Sequence, residues 1–469
     1  MSFNNFPFLL AFLPVVLAGF ALFGRLGPLW AKSWLIAASA AFYAAGAPRF
    51  LPLLILSVTG NLLLLHIIHL SARARAWTIA GLAVNLAVLA WFKYIEQRTP
   101  LGLSFFTFTQ IGCLVYHADG ETKPPAVADY ALFAAFFPAL MAGPILNPGD
   151  MLPQFAATKP WRPAMEALSV GSGFFIIGLL KKTLLADPLA GVVSAGFGDP
   201  AHLGLFAAWQ AASSYSLMLY FDFSGYTDMA IGLGWMVGLR FPDNFDQPYK
   251  APSVIAYWQR WHMSLTRFLV GNIHAPATLA ILRRRRRLGL PIDAAAQRTV
   301  RGFAGMIAAP ILATMVLVGL WHGAAWPFVA FALLHAGFLL VNHAWRLTDA
   351  PALPALPSIA LTYACVLIAS AIFGSHTLAG AMAMLSGMAG LHGMESFHPD
   401  IHTAAAVAWL LGLYGIVWFA PPTRQFMRAD RSASFGWRPT VPFALAMGCA
   451  ATIGLLGAGG TAEFLYFRF

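Results

Sequence analysis

Apolar runs recur along almost all of this 469-residue chain, and polar residues are confined to short intervals between them. A helix needs about 20 apolar residues to cross the hydrocarbon core of a bilayer. Segments 7–24, 31–47, 51–70, 76–94, 127–147, 168–186, 203–221, 302–320, 325–345, 357–374, 404–420 and 441–457 meet or approach that length. Stretches 100–117, 228–240 and 252–270 are apolar but interrupted, and fit short, tilted or re-entrant segments. Only helices satisfy their own backbone in lipid, so the pattern predicts an all-α polytopic integral membrane protein with roughly eleven to fourteen membrane segments. Nothing in the pattern leaves room for a soluble domain, so 1–469 reads as one integral-membrane domain. The first run has no basic residues before it and another apolar run follows at once, which favours a retained first helix over a signal peptide.

Three polar breaks stand out. Residues 118–126, "ADGETKPPA", form a Pro-rich loop, and residues 147–165 read as an interfacial loop with Trp161 at the boundary. Residues 280–301 contain "RRRRR", Arg283 through Arg287, and read as a cytoplasmic loop or a partly helical elbow. Between the second and third breaks lies the densest polar cluster, from Tyr220 to Leu265. It places Asp222, Ser224, Tyr226, Thr227 and Asp228 at the head of a Gly-rich apolar stretch, and Ser224 and Asp228 share a face if that stretch is helical. Pro242 and Pro248 bracket Asn244 and break any helix there. Ser253 is suited to cap a new helix carrying Trp258, Arg260, Trp261 and His262. So many polar groups between lipid-soluble segments require a water-filled or protein-lined cavity.

Composition agrees with the pattern. Hydrophobic residues make up 59% and charged residues 10%, with mean hydropathy +0.69, whereas soluble domains carry about 25% charged residues. The net charge of +11 does not point to nucleic acid, because the basic residues gather in short loops as the positive-inside rule requires. Arg73 and Arg75, the run at Arg283, and Arg424, Arg428 and Arg431 mark cytoplasmic loops and place the N-terminus outside, although Lys93 and Arg98 fit that alternation poorly. Cys113, Cys365 and Cys449 are scattered and form no zinc or disulfide spacing, so no metal site is expected.

Candidate chemistry comes down to two histidines in apolar surroundings, since an ionisable group at membrane depth is costly unless it is paired or used. His322 lies between Trp321 and Trp326 in "VLVGLWHGAAWPF". It is either a packed ring donating to a carbonyl of a neighbouring helix or the reacting group. His262, beside Trp258 and Trp261, is either an interfacial anchor or part of the same site. His335 and His343 have no distinctive polar company and read as structural.

The ordered series "LGLSFFTFTQIG" (101–112), "FFPALMAGPILNPGDMLPQF" (136–155), "IIGLLKKTLLAD" (176–187), "YFDFSGYTDMAIGLG" (220–234), "FPDNFDQPY" (241–249), "YWQRWHMSL" (257–265), "GLWHGAAWPF" (319–328), "WFAPPTRQFM" (418–427) and "FLYFRF" (464–469) resembles the membrane-bound O-acyltransferase superfamily. It is most similar to the bacterial branch that acts in alginate O-acetylation and teichoic acid D-alanylation. The resemblance implies a helical core over 101–345 around a central tunnel, with peripheral helices in 1–100 and C-terminal helices in 346–469. It implies that His322 is the active-site histidine and His262 a second histidine of the tunnel. Asp222, Ser224, Asp228 and Asn244 fall on signature positions, and with Trp258, Trp261, Trp321 and Trp326 are candidates to line the substrate path. After "WHMSL" the chain departs from the alginate pattern, since an expected Arg-Asp pair and Gly-Gly-Asn loop are replaced by "NIHAPATLAILRRRRRLG". That leaves the donor-side docking surface open.

The function so implied is transfer of an acyl group, acetyl first, from a cytoplasmic thioester such as acetyl-CoA to an extracytoplasmic polysaccharide hydroxyl. No resident cofactor is expected. Neutral imidazole can take the hydroxyl proton, with general-base contributions of about 10²–10⁴-fold, while Trp321 and Trp326 would exclude competing water. The resemblance also implies an esterase-like partner, extracytoplasmic or membrane-anchored, and a bacterial inner-membrane location. Alginate or cellulose is the first expectation for the acceptor, from "FLYFRF" and the C-terminal spans; a glucan or teichoic-like polymer, with D-alanyl-type transfer, is the second. The rival class is a transporter or flippase of a polar envelope substrate, for which intramembrane Asp and His are equally suited. Against it, the chain has no inverted repeat. A non-catalytic scaffold of an envelope-modifying complex is a third reading.

Overall fold

The computed structural model describes residues 2–459 and 465, apart from 97, 158–160, 162, 349, 395–400, 428–435 and 439; of residues 401–404 only the backbone is described. Arg428, Arg431 and all of "FLYFRF" except Leu465 therefore lie outside the described residues.

The described residues form helices and connecting turns, with no strand among them. Eight helices are long and apolar enough to cross a bilayer: Pro7–Leu26, Pro48–Leu70, Ala74–Ile95, Met165–Gly198, Met263–Arg287, Val300–His322, Trp326–Leu347 and Ala355–Gly374. Shorter apolar helices cover Leu103–Tyr116, Leu378–Met388, Ala405–Phe419 and Val441–Leu456. The all-α multi-span expectation holds. Exposed leucines such as Leu56, Leu63 and Leu86 are the outward faces expected where lipid replaces water as solvent.

The chain divides into two compact units. One comprises Met1–Leu184, Asp222–Asn244 and Pro421–Arg468; the other comprises Leu185–Phe221, Phe245–Ala420 and Phe469. In the first unit, close helix approach is set by glycine. A Cβ on Gly178 would lie 2.5 Å from the Gly225 carbonyl oxygen, and one on Gly171 would lie 2.6 Å from that of Gly232. These two contacts, spaced seven residues along each helix, let Met165–Leu180 lie directly against residues 222–236, the backbone-to-backbone contact by which membrane helices associate. Asn61 and Asn85 exchange side-chain amide hydrogen bonds of 3.2 and 2.8 Å, so two lipid-facing helices share a satisfied polar pair. Trp161 is not the boundary residue expected. It is buried, with Phe155 stacked beside it and the Lys32 ammonium 5.0 Å from its ring.

In the second unit, Ala309–His322 packs along Trp326–Leu347. The core between them is Ile311, Met315, Ala332 and Ala336, with Trp258 and Phe331 packed against it. A Cβ on Gly319 would meet the Phe328 carbonyl oxygen at 2.8 Å and the Ala332 methyl at 2.9 Å, so these two helices also close on a glycine.

Candidate active site

His322 is the last residue of its helix. Gly323 ends that helix with φ 157°, and a Cβ there would stand 3.0 Å from the Phe328 ring. The two glycines of "GLWHG" thus have separate duties: Gly319 admits the neighbouring helix, and Gly323 ends this one so that the chain can turn back into that neighbour. The imidazole between them is 6% exposed. Its neighbours are aromatic, with ring centroids at 4.5 Å for Trp321, 4.8 Å for Phe373, 6.0 Å for Phe328 and 6.4 Å for Phe331. Phe373 approaches edge-on, at 86°.

His262 lies in the same unit and is 1% exposed. Ser253 does cap a helix, its hydroxyl accepting from the Ala256 N–H at 3.1 Å, but that helix ends at Trp258. The single helix expected through His262 is broken there. His262 instead adopts the left-handed conformation (φ 44°, ψ 54°) and starts Met263–Leu269. A non-glycine residue held in that region stores about 1–3 kcal/mol, which the surrounding packing must hold in place. The packing is aromatic. Trp261 lies between Tyr249 at 6.3 Å and Tyr257 at 5.8 Å, nearly parallel to both, with Phe245 edge-on at 5.1 Å. The Asp246 N–H donates to the Arg260 carbonyl at 3.0 Å, tying the "FPDNFDQPY" loop to this bend.

His335, read from sequence as structural, is the residue that links the two motifs. Its buried ring packs on Tyr257 and Trp258 at 6.0 and 5.2 Å and on Phe331 at 4.6 Å, and Phe331 in turn borders His322. The clue was its spacing: Phe331 and His335 are one helical turn apart and share a face. Of the tryptophans expected to line the path, Trp258, Trp261 and Trp321 join these clusters. Trp326 does not. It opens its helix at 71% exposure, so its ring excludes no water from an interior. Its amphipathic ring suits an interfacial belt instead.

Asp222, Ser224, Asp228 and Asn244 belong to the other compact unit. All four are buried. The two carboxylates are engaged in ion pairs, with Lys182 Nζ 2.8 Å from Asp222 and Lys181 Nζ 2.7 Å from Asp228. Thr423 donates to Asp228 at 2.7 Å and is itself 2.9 Å from Lys181, closing a three-membered network. The Leu465 N–H donates to Asp222 at 2.8 Å. Asn244 Nδ2 donates to Thr227 at 3.4 Å, and the Ser224 hydroxyl has no hydrogen-bond partner among the described residues. Sequence reasoning missed the lysines. The signal was available, since two adjacent ammonium groups inside the apolar run 168–186 demand counter-charges at the same depth. Among the described residues no group of His, Cys, Asp and Glu is arranged to hold a metal ion.

A multi-span helical body with His262, His322 and His335 buried among aromatic rings defines a class of integral-membrane protein. Residues 78–288 match the family described as MBOAT, membrane-bound O-acyltransferase family; the match takes in His262 and ends before His322. The chain is 32% identical to the peptidoglycan O-acetyltransferase of Helicobacter pylori, over 82% of this chain and 79% of that one. It is 30% identical to a probable alginate O-acetylase of Pseudomonas putida, over the full length of both. It is 26% identical to the teichoic acid D-alanyltransferase of Streptococcus thermophilus, over 52% of this chain and 57% of that one. The chain belongs to the membrane-bound O-acyltransferase family. It is a multi-pass membrane enzyme of acyl transfer, and the transporter and scaffold readings give way to that.

Proposed function

We propose that this enzyme moves an acetyl group from a cytoplasmic thioester such as acetyl-CoA to a hydroxyl of an extracytoplasmic polysaccharide, with His322 as general base. The observation that carries the reading is the housing of His322, a buried imidazole at a helix terminus with four aromatic rings around it. The hydroxyl must lose its proton as its oxygen attacks the thioester carbonyl, and the thiolate then leaves. Neutral imidazole accepts such a proton at physiological pH. Rings that crowd the site keep out water, which competes as acyl acceptor. His262, held in a strained bend, positions the donor or relays the proton. The relatives act on peptidoglycan, alginate and teichoic acid by name, so a polymer of the bacterial envelope is the acceptor class, with an exopolysaccharide first. An esterase-like partner outside the inner membrane, receiving the acyl group for final delivery, fits that topology.

The test is the purified full chain in vesicles, given radiolabelled acetyl-CoA inside and acceptor polymer outside. Wild type should label the polymer, with the esterase-like partner added if required. His322→Ala should lose about 10²–10⁴-fold in rate while remaining monodisperse and equally stable. Undiminished labelling by that variant ends the general-base assignment.

A further inference from the structure

The arginine run was left unassigned by the reaction, and its geometry is specific. Ala275–Arg287 ends in Arg283 through Arg287, then turns on Gly289 in the left-handed conformation (φ 67°). The Leu290 N–H reaches back to the Arg285 carbonyl at 2.9 Å and the Gly289 N–H to that of Arg286 at 3.1 Å, a glycine-closed helix end. Arg285 has a structural duty. Its Nε and Nη2 donate to the Pro291 carbonyl at 3.2 and 2.8 Å, folding the returning chain against the helix. Asp293 then caps Ala294–Arg298 by accepting from the Ala296 N–H. The elbow is therefore rigid rather than a solvated tail.

The other four guanidinium groups, Arg283, Arg284, Arg286 and Arg287, are exposed and form no ion pair with any described residue. At about 100° per residue, Arg284, Arg286 and Arg287 stand about 100°, 300° and 40° round from Arg283, so the four share one sector of about 160°, with Arg285 on the opposite side. The helix above this patch buries no residue fully, and Leu279, Leu288 and Leu290 are exposed beside it. With Arg285 turned toward Gly305 of the neighbouring helix, the four point away from it, toward what borders this helix end outside the protein, and for a membrane-spanning helix that is headgroups. A nucleotide donor fits less well. Arg285 packs beside Gly305, and Gly305 to His322 spans about 25 Å of helix, beyond the diphosphate-to-sulfur reach of a coenzyme A arm.

We propose that this one-sided arginine patch is a binding site for the phosphate headgroups of anionic phospholipids, with Leu288 and Leu290 inserted among the acyl chains. Basic residues at a membrane surface attract such lipids, and guanidinium engages phosphate oxygens through paired donors.

The test uses the full chain in detergent, titrated with phosphatidylglycerol or phosphatidylcholine and read by native mass spectrometry. Wild type should retain phosphatidylglycerol preferentially. The set Arg283→Gln, Arg284→Gln, Arg286→Gln and Arg287→Gln, with Arg285 kept, should weaken that binding at least about tenfold, and the corresponding four Arg→Lys changes should preserve most of it. Three results overturn the proposal: unchanged phosphatidylglycerol binding in the Gln set, equal loss in the Gln and Lys sets, or displacement of the lipid by coenzyme A or inorganic phosphate at matched phosphate concentration.

Discussion

The two compact units solve the same problem, a polar side chain buried in an apolar body, by opposite means. In the first, Asp222 and Asp228 are met by lysines from a neighbouring helix, and Thr423 and Leu465 complete their shells. In the second, His322 and the bend bearing His262 are set among Trp, Tyr and Phe rings. Charge neutralisation suits a group whose duty is to stay where it is. An aromatic housing holds a ring in place by packing, which suits the proton acceptance proposed for His322. Membrane-depth ionisable residues are thus of two kinds, and the surroundings, not the residue type, tell them apart.

That contrast can be broken most forcefully at Lys182. Lys182→Met leaves Asp222, 1% exposed, without its counter-ion and should cost about 3–5 kcal/mol, read as a fall in folded yield and thermal midpoint. Adding Asp222→Leu should return much of the loss, since a buried pair is replaceable by apolar side chains of similar volume. A single variant as stable as wild type would mean the pair holds nothing. The His322→Ala replacement should give the reverse signature, turnover lost with the thermal midpoint kept.

Smaller effects sharpen the same line. Gly178→Val drives a side chain into the Gly225 backbone and should cost about 1–3 kcal/mol of stability. Gly319→Val, forced against Phe328 and Ala332, should cost a similar amount but displace His322 as well, so turnover should fall further than the melting shift accounts for. Equal stability and activity losses at both glycines would erase the distinction between the units. The least effect belongs to Trp326→Ala: at 71% exposure it should shift stability by no more than about 0.5 kcal/mol and leave turnover unchanged.

The helical, multi-span class was legible because bilayer thickness writes itself into run length. The histidines of "YWQRWHMSL" and "GLWHG" were legible as an ordered pattern, and so was the break at Pro242 and Pro248. What the linear order hid was partnership across distance. Lys181 and Thr423 are 242 positions apart, and no local pattern announces that they share Asp228. Trp326 was misread for a related reason. Adjacency in sequence to His322 suggested a wall of the same chamber, but past the turn at Gly323 it is Phe328 and Phe331 that border the imidazole, while Trp326 opens the next helix exposed. His335 was underrated because a lone histidine on an apolar helix has no polar neighbour in sequence to commend it.

The hydrogen bond from Leu465 to Asp222 joins positions 243 residues apart and so carries a schedule. Lys182 is already synthesised when Asp222 leaves the ribosome, but the amide that completes this acid's shell arrives only after more than half the polypeptide has followed. Insertion into the bilayer must therefore keep an incompletely solvated carboxylate waiting until the late-made segment returns to it.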